Sequence, residues 1–354
     1  MASNFLTTVA LPVTETWLSG LDPARGLRFR DHFSAATETV AKGVSSSRAA
    51  ASIGQVQKWR DFCDELGLDP FLEAFEDKVP ILQVFIHRVR IGELATNGNP
   101  IKSQSVEDYL RAVAQTFLAM GAGDPRLNTA LKTDFRIARM LAAWKKADPP
   151  ANRVKPIPIS VIRRIACIAQ HLPATASAER LRATADMIII AFFFLLRPGE
   201  YTDSASDTTP FTLGDVQLAI GGRRLNLATA SDAELDQART ASLTFTTQKN
   251  GVENEVIQHS LSGDPYICGV KAIKRRVCHL RSHNAPLSTP LGRVYTGTGS
   301  RTQSVSPTLI TKTLRDAVTW LGADLGFLPS EVPARSLRAA GAMALLVAKV
   351  DPDI

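Results

Sequence analysis

Apolar side chains recur three or four positions apart through residues 48–147 of the chain. This spacing places them on one face of a helix, whereas a half-buried strand alternates every second residue. The pattern therefore predicts a compact bundle of roughly four helices over this range. Residues 1–47 carry no comparable pattern and are expected to form a weakly structured N-terminal segment. The apolar stripes are Trp59, Phe62, Cys63 and Leu66; Val84, Phe85 and Val89; Tyr109, Val113 and Phe117; and Phe135, Met140, Leu141 and Trp144.

Four prolines interrupt the helical pattern at Pro149, Pro150, Pro156 and Pro158. Proline removes a backbone donor and pushes the preceding residue toward extended geometry. Residues 148–158 are therefore predicted to be a linker between two domains. Its basic flanks leave two interpretations open, a solvated linker or a strap that follows a phosphate backbone. The basic candidates for DNA contact are Arg136, Arg139, Lys145, Lys146, Arg153 and Lys155.

Residues 159–354 mix helical and strand patterns. The apolar run Met187–Leu196 is too short to cross a bilayer and is typical of a buried core helix. Two strand-like runs flank Lys249-Asn250-Gly251, and Asn-Gly between such runs is a strong hairpin signal. The predicted fold is mainly α with a small antiparallel sheet. Strands are expected over 215–220, 224–228, 242–247 and 253–260, and helices over 269–282, 306–321 and 335–350.

Charge and cysteine content narrow the function classes. The formal net charge is +7, and a basic protein is attracted to polyanions such as DNA, RNA or an acidic membrane surface. Four scattered cysteines have neither zinc-site spacing nor the density of a disulfide framework. No signal sequence is recognisable, so we expect an intracellular protein, with nucleus and bacterial cytoplasm both open. We expect no membrane partner, no metal and no small-molecule cofactor.

Three basic positions in the second domain are candidates for chemistry. Arg197 directly follows the apolar run in the segment LLRPGE, with Glu200 three residues on. Lys249 lies at the predicted hairpin tip, and Arg335 and Arg338 open the last predicted helix. Taken singly, each has an ordinary interpretation: a structural Arg–Glu pair, an exposed turn lysine and two solvated arginines.

Their order along the chain resembles the tyrosine recombinase (phage integrase) family, including its transposon-encoded members, over residues 48–354. The resemblance implies a helical core-binding domain at 48–147 and an α+β catalytic-type domain at 159–354, which together close on duplex DNA. It assigns Arg197 and Glu200 to the L-R-x-x-E motif, with Glu200 orienting the arginine. It assigns Lys249 to the hairpin lysine and Arg338 to the second catalytic arginine.

The family's chemistry suits these residue types. Its members cleave DNA by attack of a tyrosine oxygen on a phosphodiester, and negative charge develops on the non-bridging oxygens. Guanidinium groups are planar and always charged, and they can donate two parallel hydrogen bonds to a phosphate. A hairpin lysine can donate a proton to the leaving oxygen.

The sequence departs from the family in two ways. Arg335 stands in the place of the family's histidine, and arginine can only donate hydrogen bonds. The sequence ends at Ile354, and its last tyrosine, Tyr295, precedes both Arg335 and Arg338. We therefore expect this chain to lack the nucleophile and to be unable, alone, to form the covalent DNA adduct.

Three functions stay open at this point. The first is a site-specific recombinase or integrase lacking its nucleophile region, with double-stranded DNA as partner and a homo-oligomer on DNA left open. The second is a domesticated or decayed relative that binds DNA without cutting it. The third is an unrelated helical interaction protein, which predicts no retained DNA complex at moderate salt.

Overall fold

A computed structural model describes most of the chain, namely residues 20, 22–43, 46–95, 97–119, 121–150, 154–173, 175–202, 209–246, 253–296, 302–322, 325–326 and 328–349. The chain divides into two compact units, residues 1–151 and residues 152–354. The division falls inside the range 148–158 that the prolines mark. The described residues are mainly helical with a small antiparallel sheet, which confirms the predicted fold class.

The described part of the first unit consists of helices joined by turns. Four of the helices correspond to the four predicted apolar stripes, and one precedes them. The helices are α1 (Pro23–Lys42), α2 (Ser46–Glu65), α3 (Val79–Arg90), α4 (Ser103–Ala119) and α5 (Phe135–Ala147).

Helix α1 corrects the expectation that residues 1–47 are weakly structured. Phe29 and Phe33 lie one turn apart on this helix, and their rings stack with centroids 6.2 Å apart. Leu27 and Val40 are 63% and 69% exposed. The helix therefore buries no continuous apolar stripe, and such a stripe is the signal on which a periodicity argument depends.

The core of the first unit is built around Trp59, Phe62 and Phe85. The Trp59 and Phe85 rings pack edge to face with centroids 5.0 Å apart, a favoured geometry for aromatic pairs. The indole N–H of Trp59 donates to the carbonyl oxygen of Pro70 at 2.9 Å, so the ring is buried without an unpaired donor. Most of the predicted stripes of α2 and α3 therefore meet in one core. Leu66 and Val84 were wrongly placed in these stripes, since they are 49% and 50% exposed.

Asp148 closes the first unit by capping a helix distant in sequence. Its Oδ2 accepts from the backbone N–H of Ser103 at 2.8 Å and from the Ser103 hydroxyl at 2.6 Å. Its Oδ1 pairs with Arg90 at 2.7 Å. Helix α4 begins at Ser103 because the capping carboxylate comes from Asp148.

The second unit contains helices and two small sheets within the described residues. The helices are α6 (Ile159–His171), α7 (Ala176–Phe193), α8 (Pro198–Tyr201), α9 (Asp232–Gln237), α10 (Gly269–Ser282), α11 (Pro307–Leu321) and α12 (Ser336–Val347). The strands are β1 (Val216–Ile220), β2 (Arg223–Arg224), β3 (Thr240–Phe245), β4 (Glu255–Ser260), β5 (Arg293–Tyr295) and β6 (Thr302–Ser304). Short 3₁₀ turns cover Leu213–Asp215 and Pro329–Glu331.

The larger sheet has the antiparallel order β2-β1-β3-β4, and the smaller one pairs β5 with β6. Leu243 of β3 lies opposite Ile257 of β4, so the predicted hairpin pairing is confirmed over the described residues. The predicted strand 224–228 is wrong beyond Arg224. Asn226 ends it by forming a turn in which its side-chain oxygen accepts from the N–H of Ala228 at 3.0 Å.

Helix α7 is the centre of the second unit. Its residues from Ala183 to Phe192 are all buried, which confirms that the apolar run belongs to a core helix. Helices α6, α10, α11 and α12 all pack against it. Among the described residues, no helix is long and apolar enough to cross a membrane.

One buried charge interrupts this apolar helix. Asp186 is 4% exposed, and its Oδ1 accepts from Nε of Arg275 at 2.8 Å. Desolvation raises the pKa of Asp186, while the charge of Arg275 opposes this shift. The carboxylate is thus tied to α10 and fixes how α10 lies against α7.

Replacing Asp186 with Asn is expected to lower the free energy of unfolding by about 1.5–3 kcal/mol, the usual worth of hydrogen bonds to charged groups. The loss stays below that of a fully buried pair because the Arg275 side chain is 36% exposed and can be hydrated. Asp236→Asn is the control, since that carboxylate is 83% exposed and pairs with Lys274 at 3.6 Å. Chemical denaturation showing equal losses for the two variants would contradict this account.

Candidate phosphate-binding site

The site begins where α7 ends. The N–H groups of Phe194 and Leu196 donate back to Ile190 and Ala191 at 2.9 and 3.0 Å, and Leu195 between them has φ +52°. A left-handed residue is a common way to end a helix, although glycine usually occupies it. The chain is thereby turned away from α7 directly before Arg197.

Glu200 fixes the position of Arg197. Its Oε2 accepts from the Arg197 backbone N–H at 2.6 Å, and its Oε1 accepts from the guanidinium at 2.9 Å. The Glu200 side chain is only 7% exposed, whereas that of Arg197 is 35% exposed. The predicted Arg–Glu pair is thus present, with a buried carboxylate that orients a partly exposed guanidinium.

Helix α12 crosses the end of α7 at close range through Gly341. A Cβ at this position would lie 2.3 Å from the carbonyl oxygen of Phe192 and 2.4 Å from Cδ2 of Leu195. Any side chain larger than hydrogen would therefore push the two helices apart. Leu337 and Ala340 are buried on the same side of α12, which leaves Arg338 near the surface.

The packing brings Arg338 within electrostatic reach of Arg197 and Glu200. Partial burial lowers the pKa of Arg338, the positive charge of Arg197 lowers it further, and Glu200 opposes both. Two cations held close together repel each other in the free protein. The same pair can bind an anion that accepts hydrogen bonds from both of them.

Arg335 directly precedes α12 and is exposed. Within the described residues, neither Arg335 nor Arg338 forms an ion pair with a carboxylate. Their charges are therefore available at the N-terminal end of a helix, where the helix dipole also favours an anion.

Two of the predicted site residues, Lys249 and Arg153, lie outside the described residues. Lys155 is described, and its Nζ lies 2.9 Å from Oε1 of Glu331, so its charge is engaged within the second unit. Arg136 is likewise engaged, with hydrogen bonds to Asp77 at 2.6 and 3.0 Å and to Asp134 at 2.9 and 3.1 Å.

The remaining basic candidates share the exposed surface of α5. Arg139, Lys145 and Lys146 are all exposed. The guanidinium of Arg139 lies over the ring of Phe135 at 5.0 Å from its centroid. Of the predicted DNA contacts in the first unit, these three have charges that are not shared with a carboxylate in the described part of the chain.

A groove between α2 and α4 was missed by the sequence argument. It has a volume of about 230 Å³ and is lined by long polar side chains with small residues between them. Spacings of three or four residues within each helix could have indicated it. Its lining is Arg48, Ala51, Ser52, Gln55, Asp108, Arg111, Ala112 and Gln115.

Another cavity in the first unit has the opposite character. It has a volume of about 850 Å³, and the carboxylates of Glu73, Glu76, Asp77, Asp124 and Asp134 lie along its wall with Lys78 and Arg136. This excess of negative charge would repel a polyanion. The cavity is therefore not a candidate for DNA binding.

Two titratable side chains adjoin the segment before and after Arg197, namely His259 against Phe194 and Tyr201 at the end of α8. His259 packs against Phe194 with ring centroids 4.6 Å apart, and burial lowers its pKa, so it is neutral at neutral pH. Tyr201, at the end of α8, is 1% exposed, and burial raises its pKa above the usual range. Tyr201 is thus a protonated core residue that DNA cannot reach.

No protein-family profile and no curated protein matches this chain. Among the described residues, no cluster of His, Cys, Asp and Glu could hold a metal ion.

Replacing Glu200 with Gln is expected to lower the free energy of unfolding by about 1–2 kcal/mol, because a buried, charge-assisted bond to Arg197 becomes a neutral one. Glu234→Gln is the control, since Glu234 likewise accepts from the backbone N–H of the residue before its helix, Ser231 at 3.0 Å, but is 39% exposed. We expect the control to lose less stability than Glu200→Gln in chemical denaturation, because water can replace the bonds of an exposed carboxylate. A reversed order would show that Glu200 does not hold Arg197.

Proposed function

We propose that this protein binds double-stranded DNA and grips one backbone phosphate between Arg197 and Arg338, as a tyrosine recombinase-type protein would. The observation that carries the proposal is the juxtaposition of these two arginines at the crossing of α7 and α12. They come from distant parts of the second unit, and their charges oppose each other in the free protein. A phosphate bound between them would remove that repulsion.

The arrangement of positive charges favours a phosphate over an anion whose single charge lies on one atom. Guanidinium forks match pairs of phosphate oxygens, and Arg335 adds a third cation at the start of α12. Glu200 already holds Arg197 in orientation, so little side-chain freedom is lost when DNA binds.

We assign further DNA contacts to two surfaces of the first unit. Arg139, Lys145 and Lys146 on α5 can contact phosphates, which fix position without reading sequence. The groove between α2 and α4 contains arginine and glutamine side chains, which pair with guanine and adenine edges respectively. Arg111 in this groove is paired with Asp108 at 2.8 Å, so we propose Gln55 and Gln115 as the side chains that read bases.

A DNA-binding protein that does not cleave is the second candidate function. Two observations favour it over an active recombinase. Arg335 occupies the family histidine's place and cannot accept a proton, and Tyr201, the tyrosine adjacent to the arginines, is buried. Both candidates share the same phosphate grip.

Duplex binding measured by fluorescence anisotropy tests the grip. Arg197→Ala and Arg338→Ala are each expected to weaken binding roughly ten- to hundred-fold at moderate salt, as the loss of a charged hydrogen bond predicts. Each should also reduce the slope of log K against log salt by about one. Arg180→Ala is the control, because it removes one exposed positive charge at the opposite end of α7.

Equal, small effects of all three substitutions would show that only net charge matters and would overturn the grip. Absence of any duplex complex at moderate salt would instead support the unrelated interaction protein.

A nicked duplex, which traps covalent intermediates, tests whether this chain cleaves DNA. We expect no protein–DNA adduct in a denaturing gel, because the described residues offer neither an accessible tyrosine at the arginines nor a base at Arg335. An adduct that disappears in Arg338→Ala would instead identify an active recombinase.

A further inference from the structure

Tyr201 joins the segments that carry the two arginines. Its ring belongs to the core of the second unit, and its hydroxyl donates to the carbonyl oxygen of Ala334 at 3.3 Å. Tyr201 ends α8, the short helix that Arg197 caps, and Ala334 begins the turn that leads to Arg338. One buried hydrogen bond thus crosses from the Arg197 segment to the Arg338 segment.

The Ala334 peptide is held on both sides. Its N–H donates to the hydroxyl of Thr311 on α11 at 3.1 Å. Its carbonyl oxygen also accepts from the N–H of Leu337, in the first turn of α12, at 3.3 Å. The Tyr201 hydroxyl is therefore bonded to the first turn of the helix on which Arg338 lies.

The packing at Gly341 and the bond at Ala334 act at different places along α12. Gly341 fixes how closely the middle of the helix approaches α7, as the short Cβ distances to Phe192 and Leu195 require. The buried side chains of Leu337 and Ala340 hold the same face of α12. The bond at Ala334 adds a directional attachment at the N-terminal turn that carries Arg338, and the orientation of Arg338 depends on it.

We propose that Tyr201 is a positioning residue that sets the separation of Arg197 and Arg338 through its hydrogen bond to Ala334. The proposal rests on the proposed function, since it assigns to Tyr201 the geometry of the same phosphate grip. The ring provides a rigid support because it is buried and has few side-chain torsions. The hydroxyl provides the attachment, so Tyr201→Phe removes one oxygen and leaves the packing in place.

The test is a double-mutant cycle with a fluorescein-labelled random-sequence duplex as the probe. Tyr201→Phe is expected to weaken duplex binding about three- to ten-fold, the range that loss of one buried hydrogen bond allows. The same substitution in the Arg338→Ala background should have no further effect on binding, because the group it positions is gone. Its effect on the free energy of unfolding should be the same in both backgrounds.

Thr184→Val is the matched control. It removes a buried hydroxyl-to-carbonyl hydrogen bond, from Thr184 to Arg180 at 2.7 Å, in the same unit and in the middle of α7. It should lower stability without changing duplex affinity. In ¹H–¹⁵N spectra, the Nε–H signal of Arg338 should shift in Tyr201→Phe and stay in place in Thr184→Val, which gives a readout that does not depend on DNA.

The outcomes separate the two proposals. If Arg338→Ala leaves duplex binding unchanged, the phosphate grip itself fails. If Arg338→Ala weakens binding but Tyr201→Phe does not, or weakens it equally in both backgrounds, the positioning role of Tyr201 is wrong and the grip stands. A Nε–H signal of Arg338 that does not move in Tyr201→Phe would also overturn the positioning role.

Discussion

The contact between α12 and the end of α7 at Gly341 is the interaction on which the candidate site depends. A hydrogen in place of a side chain lets α12 approach the Phe192 carbonyl closely, and Leu195 covers the glycine from the turn that follows. Leu195 accepts a left-handed backbone to do so, a conformation that costs about 1–3 kcal/mol for a residue with a Cβ. The strain is located between the core helix and Arg197, where it shapes the site directly.

Charge is distributed around this contact in an uneven way. Arg197 has a dedicated buried carboxylate in Glu200, while Arg338 and Arg335 have none among the described residues. Other basic residues, such as Arg136 and Lys155, are neutralised locally by carboxylates. The net charge of +7 therefore does not show where positive charge lacks a carboxylate partner. Among the described residues, Arg335 and Arg338 at α12 form one such place.

Several parts of the fold could be predicted from local pattern. The four apolar stripes of residues 48–147 became α2 to α5, and the Asn-Gly hairpin signal correctly paired β3 with β4. The failures have different causes. Helix α1 was missed because it lacks a buried stripe, and the strand predicted beyond Arg224 was ended by a side-chain turn at Asn226.

The sequence by itself determined the helical and strand periods, the core helix at α7 and the Arg197–Glu200 pair, because each depends on residues a few positions apart. It also determined the order of the basic motifs along the chain. Only the tertiary structure decided that Arg338 lies beside Arg197, that Arg136 and Lys155 are neutralised, and that Tyr201 connects α8 to the turn before α12. These depend on which helices pack together and at what distance. A single sequence carries no direct record of that, because packing is decided by contacts between residues far apart in the chain.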